Sequence, residues 1–446
     1  MNTYIIVGII LVALVALLAT NKKLVETLKN IYKIEELRKR ILFTLGLLLI
    51  YRLGSFVTLP GINHAALAEW TNSFANDGSL MGLLNIFSGG AFSQASIFAL
   101  GVMPYITASI IIQLLGIMVP YFRKMQREGE SGRRKMNQWT RFLTIGVLLL
   151  QAPAYLETQI PEAAIVAGNG FIVTSTIILI AGTMFIMWLG EKITDKGIGN
   201  GVSLIIMIGI LARLPQSFLQ ELLFQTGPKG SIIMLILEMV FLALVFMLAI
   251  AIVQAVRKIP VQYAKRIVGN KQYGGVRQYI PLKLNAANVM PIIFAQALMF
   301  IPGLIWGGQW LDVTSFWYNF TLVVLVIAFT YFYTAIIVNP QMMADDMKRN
   351  GGFIPGVKPG KSTVTYIDDI MTRITLPGSI FLAIITILPA IAMTIGISQG
   401  FAYFFGGTSL LIMVGVVLDT LKQIESYLLM RHYDGLMKTG RIQGRY

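Results

Sequence analysis

The chain has 446 residues, 56% of them hydrophobic and only 13% charged, with a formal net charge of +15. Soluble domains carry about 25% charged residues, so the composition excludes a soluble globular protein and points to a polytopic membrane one. There is no cysteine, which removes disulfides, thiolate metal sites and cysteine nucleophiles, and His64 and His432 lie too far apart in sequence to suggest a metal cluster or a catalytic triad.

Tyr4–Thr20 (YIIVGIILVALVALLAT) is apolar, with no charge before it and seven basic residues after it in 22–40. A secretory signal carries its positive charge first. The segment 1–21 therefore reads as an N-out anchor, an eleventh and peripheral span, or as an added segment. Ten further apolar stretches follow at 41–59, 97–118, 139–156, 171–190, 202–219, 231–253, 288–306, 319–338, 374–397 and 408–429. Each approaches the roughly 20 residues that cross a bilayer.

Lysine and arginine alternate sharply between these stretches. Residues 22–40, 121–141, 257–283, 348–373 and 422–445, with Lys192 and Lys196, hold 33 of the 36. The intervening 60–84, 157–170, 307–318 and 398–407 hold none, and 219–230 holds only Lys229. Such a comb places the basic loops and the tail in the cytoplasm, so topology explains the net charge without nucleic acid. Ten spans divide into two odd halves, the second inverted relative to the first, a parity that permits an inverted repeat.

Charges inside the spans are few: Arg52, Arg213, Glu238 and Asp419. Ion-coupled transporters keep ionisable groups near mid-membrane, where each costs about 2.5–3.5 kcal/mol. Arg52 and Arg213 lie towards the outer ends instead, as snorkelling or paired arginines, and Glu238 reads as a paired structural carboxylate. No acid pair, metal spacing or Ser/His set appears at depth, which argues against an enzyme and against a cofactor. Gly356–Thr363 (GVKPGKST) is one residue short of a phosphate-cradling loop and is preceded by Gly352 and Pro355 rather than a buried strand. Asn85–Leu115 is about half again too long for one crossing. Its first third is sprinkled with Ser, Gly and Gln, as if a short half-helix preceded the span.

Several stretches, in order, resemble one family. They are FSGGAFSQASIFALGVMPYITASIIIQLL, EGESGRRK (Glu128–Lys135), GTMFIMWLGEKITDKGIGNGVSLII (Gly182–Ile206), YAKR (Tyr263–Arg266), PLKLNAANVMPIIFA (Pro281–Ala295), FYTAIIVNP (Phe332–Pro340) and FGGTSLLI (Phe405–Ile412). From about residue 24 to the C-terminus the chain is similar to the SecY/Sec61 alpha family, pore subunits of Sec translocases. The resemblance implies an all-α, ten-helix clamshell of two pseudo-symmetric inverted halves with an hourglass pore. It implies a first half over 22–219, a sixth span within 220–253, a basic cytoplasmic loop over 254–287 and spans seven and eight within 288–340. A second cytoplasmic loop over 341–373 and two last spans with a basic tail over 374–446 complete the scheme. The implied substrate is an unfolded, signal-bearing polypeptide or a nascent membrane helix, and the implied location is the bacterial inner membrane with a cytoplasmic C-terminus.

The resemblance makes 85–97 a plug folded into the outer funnel, comprising Phe87, Ser88, Gly89, Gly90, Ala91, Phe92, Ser93, Gln94, Ala95 and Ser96. Gly89–Gly90 suits a tight turn, and Ser88, Ser93, Gln94 and Ser96 suit water in a cavity. Backbone that does not span is tolerated only where protein or water surrounds it; without the resemblance a static re-entrant segment reads as well. The implied pore ring is Val102, Ile106, Val202, Ile206, Ile293 and Ile412, aliphatics able to close as a gasket and to exclude ions by dewetting. A lateral gate is implied between the spans at 97–118 and 288–306, flanked by 139–156 and 319–338, with Gln113 and Asn288 at its seam. The basic loops, through Arg257, Lys258, Lys265, Arg266, Lys271 and Arg277 in the first and Lys358 at the tip of the second, are implied to project as two fingers. Their implied partners are the motor ATPase SecA and the ribosome, through ribosomal RNA phosphates. SecE and SecG are the implied companion subunits, with SecDF, YidC and the lipid bilayer as further partners. Lys358 stands where the family usually has arginine, keeping the charge but losing the bidentate fork. The competing class is an inverted-repeat solute transporter, which predicts a polar mid-membrane site and needs no plug.

Overall fold

The computed structural model describes residues 34–63, 66–67, 85, 88–161, 164–166, 170–227, 230–263, 266–268, 271–273, 277–306 and 312–439. The segment 1–21, Phe87 and Lys265 lie outside the described residues. The chain divides into two compact units, one taking the described residues up to 227 and those from Val416 on, the other those within Gly230–Gly415.

The first unit contains α1 (Glu35–Gly54), α2 (Met103–Met118), α3 (Pro120–Arg127), α4 (Glu130–Gln159), α5 (Phe171–Lys196) and α6 (Gly201–Thr226). The second contains α7 (Ile232–Gln254), α8 (Met290–Trp306), α9 (Phe316–Ile337), α10 (Pro340–Arg349), α11 (Lys361–Ile395) and α12 (Gln399–Ala402). α13 (Gly407–Thr439) starts in the second unit and ends in the first. Each of the ten predicted apolar stretches contains a helix, the form that satisfies every backbone group without water, although 55–59 and 97–102 lie outside α1 and α2. Phe171–Lys196, Gly201–Thr226, Ile232–Gln254, Phe316–Arg349, Lys361–Ile395 and Gly407–Leu429 are each long and apolar enough to cross a membrane, and α2 joins α3 across a 102° bend. The rest have simple reasons for falling short: α1 opens on Glu35, Glu36, Arg38, Lys39 and Arg40, α4 dilutes its apolar run with Arg141, Gln151, Pro153, Glu157 and Gln159, and α8 has 17 residues.

Burial grades these helices. Only 17% of the spanning window of α7 is buried, and it exposes Ile232, Ile233, Ile236, Leu237, Val240 and Met247. Its buried residues Glu238, Val245 and Ala249 fall on one helical face. In α11 and α13 half of the window is buried, so both are central elements.

Two of the quoted motifs are tight turns, the first held shut by side chains and the second shaped by its glycines. In Gly197–Gly201, Thr44 Oγ1 accepts from Ile198 N at 3.1 Å and Gln423 Oε1 accepts from Gly199 N at 2.8 Å. Asn200 caps α6 by accepting from Ser203 N. Gly199 holds φ +83°, and a β-carbon on Gly201 would strike the Gly190 carbonyl. In Glu128–Lys135, Gly129 takes φ 72° between α3 and α4, and a β-carbon on Gly132 would overlap the Met125 carbonyl.

The apolar pattern does not announce the strands. In the second unit β1 (Val256–Tyr263), β2 (Arg266–Val268), β3 (Lys271–Tyr273) and β4 (Arg277–Lys283) follow α7, and β5 (Gly352–Phe353) follows α10. The sheet order is β4-β1-β5, and β2 pairs with β3 as a separate ribbon. β1 is antiparallel to both neighbours, placing Ile259 opposite Ile280, Gln262 opposite Phe353 and Tyr263 opposite Gly352. Ile259, Val261, Leu282, Met347, Ile354, Ile367 and Met371 form a shared buried core. The expectation of two fingers did not include this pairing. The loops 254–287 and 341–373 meet in one small sheet with a common apolar interior.

Candidate functional site

Residues 88–101 form a chain of turns, not the predicted half-helix. Gly89, Gly90 and Gly101 hold φ of 65°, 94° and 55°, and Ala95 holds 45°. Four left-handed residues in so short a run are incompatible with a right-handed helix. The segment docks beside the residues that follow α1: Ile97 N donates to Val57 O and Leu59 N to Ala95 O, both at 2.9 Å, around a bridge between Thr58 and Ser96.

Its polar atoms turn inward. Ser88 Oγ accepts from Phe92 N, and Ser96 Oγ, fully buried, accepts from Phe98 N. Of the four residues expected to face water, Gln94 alone is exposed; Ser88 and Ser96 are turn caps and Ser93 is half-buried. The serines are there because a tight apolar-lined turn must satisfy its own N–H groups.

The walls come from α1, α4, α5 and α6. The Tyr155 hydroxyl donates to Phe92 O at 2.7 Å while its ring lies 4.9 Å from that of Phe92. Arg52 Nη1 donates to Gly89 O at 2.8 Å, and Arg213 Nη2 donates to Ser93 Oγ at 3.2 Å. Phe98 stacks on Tyr51 at 6.0 Å. Glycines make the seat: a β-carbon on Gly54 would meet the Phe98 ring, one on Gly182 the Ile97 carbonyl, and one on Gly89 would lie 2.9 Å from Gly209 Cα. Tyr51, Arg52, Tyr155 and Arg213 hold this segment, and the sequence reading does not assign them to it. The available signal is energetic, since arginine inside an apolar stretch is costly and needs an acceptor.

The six ring aliphatics occupy similar positions in four helices. Val102 caps α2 and Ile106 follows one turn on; Val202 and Ile206 open α6; Ile293 is the fourth residue of α8; Ile412 is the sixth of α13. Val102, Ile206 and Ile412 are buried, and Ile106, Val202 and Ile293 are half-buried. Val202 Cγ2 lies 3.0 Å from the place a β-carbon on Gly190 would take.

The two gate amides differ. Gln113 Nε2 reaches Ser109 Oγ at 3.5 Å within α2 and lines a cavity of about 610 Å³ with Ser109, Gln126, Glu130, Asn137 and Thr140. Asn288 precedes α8 at φ 52°, exposed, its carbonyl accepting from Asn285 Nδ2 at 3.1 Å. Its place is explained by the tolerance of asparagine for the left-handed region.

Arg257 and Lys258 are exposed on β1, Arg266 and Lys271 lie on the β2–β3 ribbon, and Arg277 opens β4 opposite Gln262. Lys358 is exposed between Gly356 (φ 84°) and Gly360 (φ 110°). Its carbonyl accepts from Thr363 Oγ1 at 3.0 Å, so the hydroxyl of GVKPGKST serves the turn.

The SecY family model matches residues 96–421. A protein translocase subunit SecY from Chlamydia trachomatis is 41% identical over 94% of this chain and 99% of its own. The solved structure of a protein conducting channel superposes with a TM-score of 0.57 at 18% identity, covering 87% of this chain and 92% of that one. A Sec61 solved in a canine ribosome–channel complex superposes with a TM-score of 0.53 at 16% identity, covering 87% and 92%.

Proposed function

The chain belongs to the SecY family, and from that premise we propose that it is the protein-conducting channel of a Sec translocase. It passes unfolded, signal-bearing polypeptides across the membrane and releases apolar helices sideways into lipid. As a SecY relative it is a multi-pass membrane protein and not an enzyme. The observation that carries the reading is the 88–101 segment: a stretch of apolar sequence that stops short of crossing, turns on left-handed residues and packs its backbone into a glycine seat. A solute transporter has no need of such a stopper.

In this reading residues 88–96 are the plug and the six aliphatics form the constriction that seals by dewetting when no chain occupies it. Their shielding from the surroundings, each within the first two turns of its helix, supports this role. The sideways exit of the family is carried over to α2 and α8, with Gln113 and Asn288 as its amides. The span parity permits two inverted halves. The basic comb supports a cytoplasmic C-terminus, and the bacterial SecY relatives support a bacterial inner membrane. The exposed Arg257, Lys258 and Lys358 present the cytoplasmic sheet to SecA and to ribosomal RNA phosphates, with Arg266, Lys271, Arg277 and Lys265 on the same loop. SecE and SecG complete the channel, and SecDF and YidC meet it during export and insertion.

The native chain has no cysteine, so single cysteines at the six ring positions test the reading cleanly. A stalled secretory chain should cross-link at all six and not at Leu150 or Ile233, which are 78% and 77% exposed. Equal cross-linking at the controls, or none at the ring, overturns it.

A further inference from the structure

Resting on the channel reading, we propose that Arg52 and Arg213 are a two-point latch that positions the plug and sets how often the resting channel opens. The two side chains come from different helices, α1 and α6, and converge on one turn. Arg52 grips Gly89 O at 2.8 Å and Arg213 grips Ser93 Oγ at 3.2 Å, four residues apart. Their guanidinium groups border consecutive glycines: Arg52 Nη1 lies 3.3 Å from the β-carbon position of Gly89 and Arg213 Nη2 lies 2.8 Å from that of Gly90. Any residue larger than glycine would push one of them away.

Arg52 is aimed before the plug arrives, its guanidinium 4.6 Å from the Phe56 ring centre and 3.4 Å from Ser55 Oγ. Neither arginine belongs to an ion pair among the described residues. With no carboxylate partner among the described residues, these two half-buried cations rest on neutral acceptors, and the plug turn supplies them. Withdrawal of the plug leaves both charges bare and facing each other's field, so seating is favoured as long as the turn keeps its shape. Charge-assisted hydrogen bonds are the stronger class, which makes this contact, rather than the plug's apolar surface, the adjustable part of the seal.

The test measures KCl conductance of the complete translocase in planar bilayers, with maleimide labelling of Gln94→Cys from the outer side as a second readout. Arg52→Gln and Arg213→Gln should each raise the resting open fraction and the labelling rate about tenfold. Ser93→Ala removes the acceptor without touching either arginine, together with the Ser93 Oγ bond to Gly90 O at 3.1 Å, and should open the channel at least as far as Arg213→Gln. The double variant should go no further than Ser93→Ala, because that substitution already removes the Arg213 bond. Arg213→Lys, which keeps a donor, should restore part of the closure. Additive effects of Arg213→Gln and Ser93→Ala would mark general destabilisation and overturn the latch. So would unchanged conductance and labelling in both glutamine variants while deletion of 88–96 still opens the channel. If that deletion too is silent, the channel reading falls and the latch with it.

Discussion

Replacing Tyr155 by phenylalanine removes one oxygen and leaves the ring in place. The hydroxyl donates to Phe92 O at 2.7 Å in a site where Tyr155 is 5% exposed, and the ring keeps its tilted contact with Phe92 at 4.9 Å. Phenylalanine removes this donor from a part-buried carbonyl that keeps the Ala95 N–H at 3.3 Å, a loss of about 0.5–1.5 kcal/mol. When the plug lifts, that carbonyl regains water, so the cost falls on the seated state alone. A shift of about 1.4 kcal/mol is tenfold in an equilibrium, and the resting open fraction should rise by up to about that factor. Single-channel recording of the purified translocase without substrate measures it directly. An open fraction equal to the parent's, with unchanged thermal stability, would refute the view that Tyr155 stabilises the seated plug.

Gly182→Val should be more severe, because its β-carbon would overlap the Ile97 carbonyl; overpacking costs about 1–3 kcal/mol, and raised leak together with faster labelling of Gln94→Cys would register it. Gly199→Ala puts a side chain at φ +83° with Leu204 only 3.0 Å away; a lower unfolding temperature is expected, since left-handed backbone costs a non-glycine residue about 1–2 kcal/mol. Ile259→Ala, in a core position 2% exposed, should cost about 2–5 kcal/mol and make both cytoplasmic loops sensitive to protease at once. Charge reversal at the exposed Arg257 and Lys258 should weaken ribosome binding and flatten its dependence on salt, read from co-sedimentation across a KCl series.

The long apolar runs were enough to find a described helix in each of the ten stretches, because a bilayer leaves a spanning chain few other forms. The limits of the sequence reading lie where geometry is local or non-local in particular ways. Ala95 at φ 45° and the serine caps of 88–96 are turn chemistry that composition alone cannot distinguish from a short helix. Arg52 and Arg213 were visible as costly charges, but their acceptors are 37 and 120 residues away in sequence. β1 was hidden because Val256–Tyr263 mixes basic residues, proline and aliphatics, and its two-residue partner β5 carries no strand signal. Asn288 was read as a gate amide; its φ of 52° also explains it as a turn residue ahead of α8.

The ladder that joins Gln262 to Phe353 and Tyr263 to Gly352, over a core drawn from both loops, makes them a single heritable part. A graft that imports one loop from a relative brings half an interior and half a sheet, and must fail by unfolding before any change in partner choice can be seen. Swapping both together moves a self-consistent head, so chimeras between relatives are informative only when they exchange the pair.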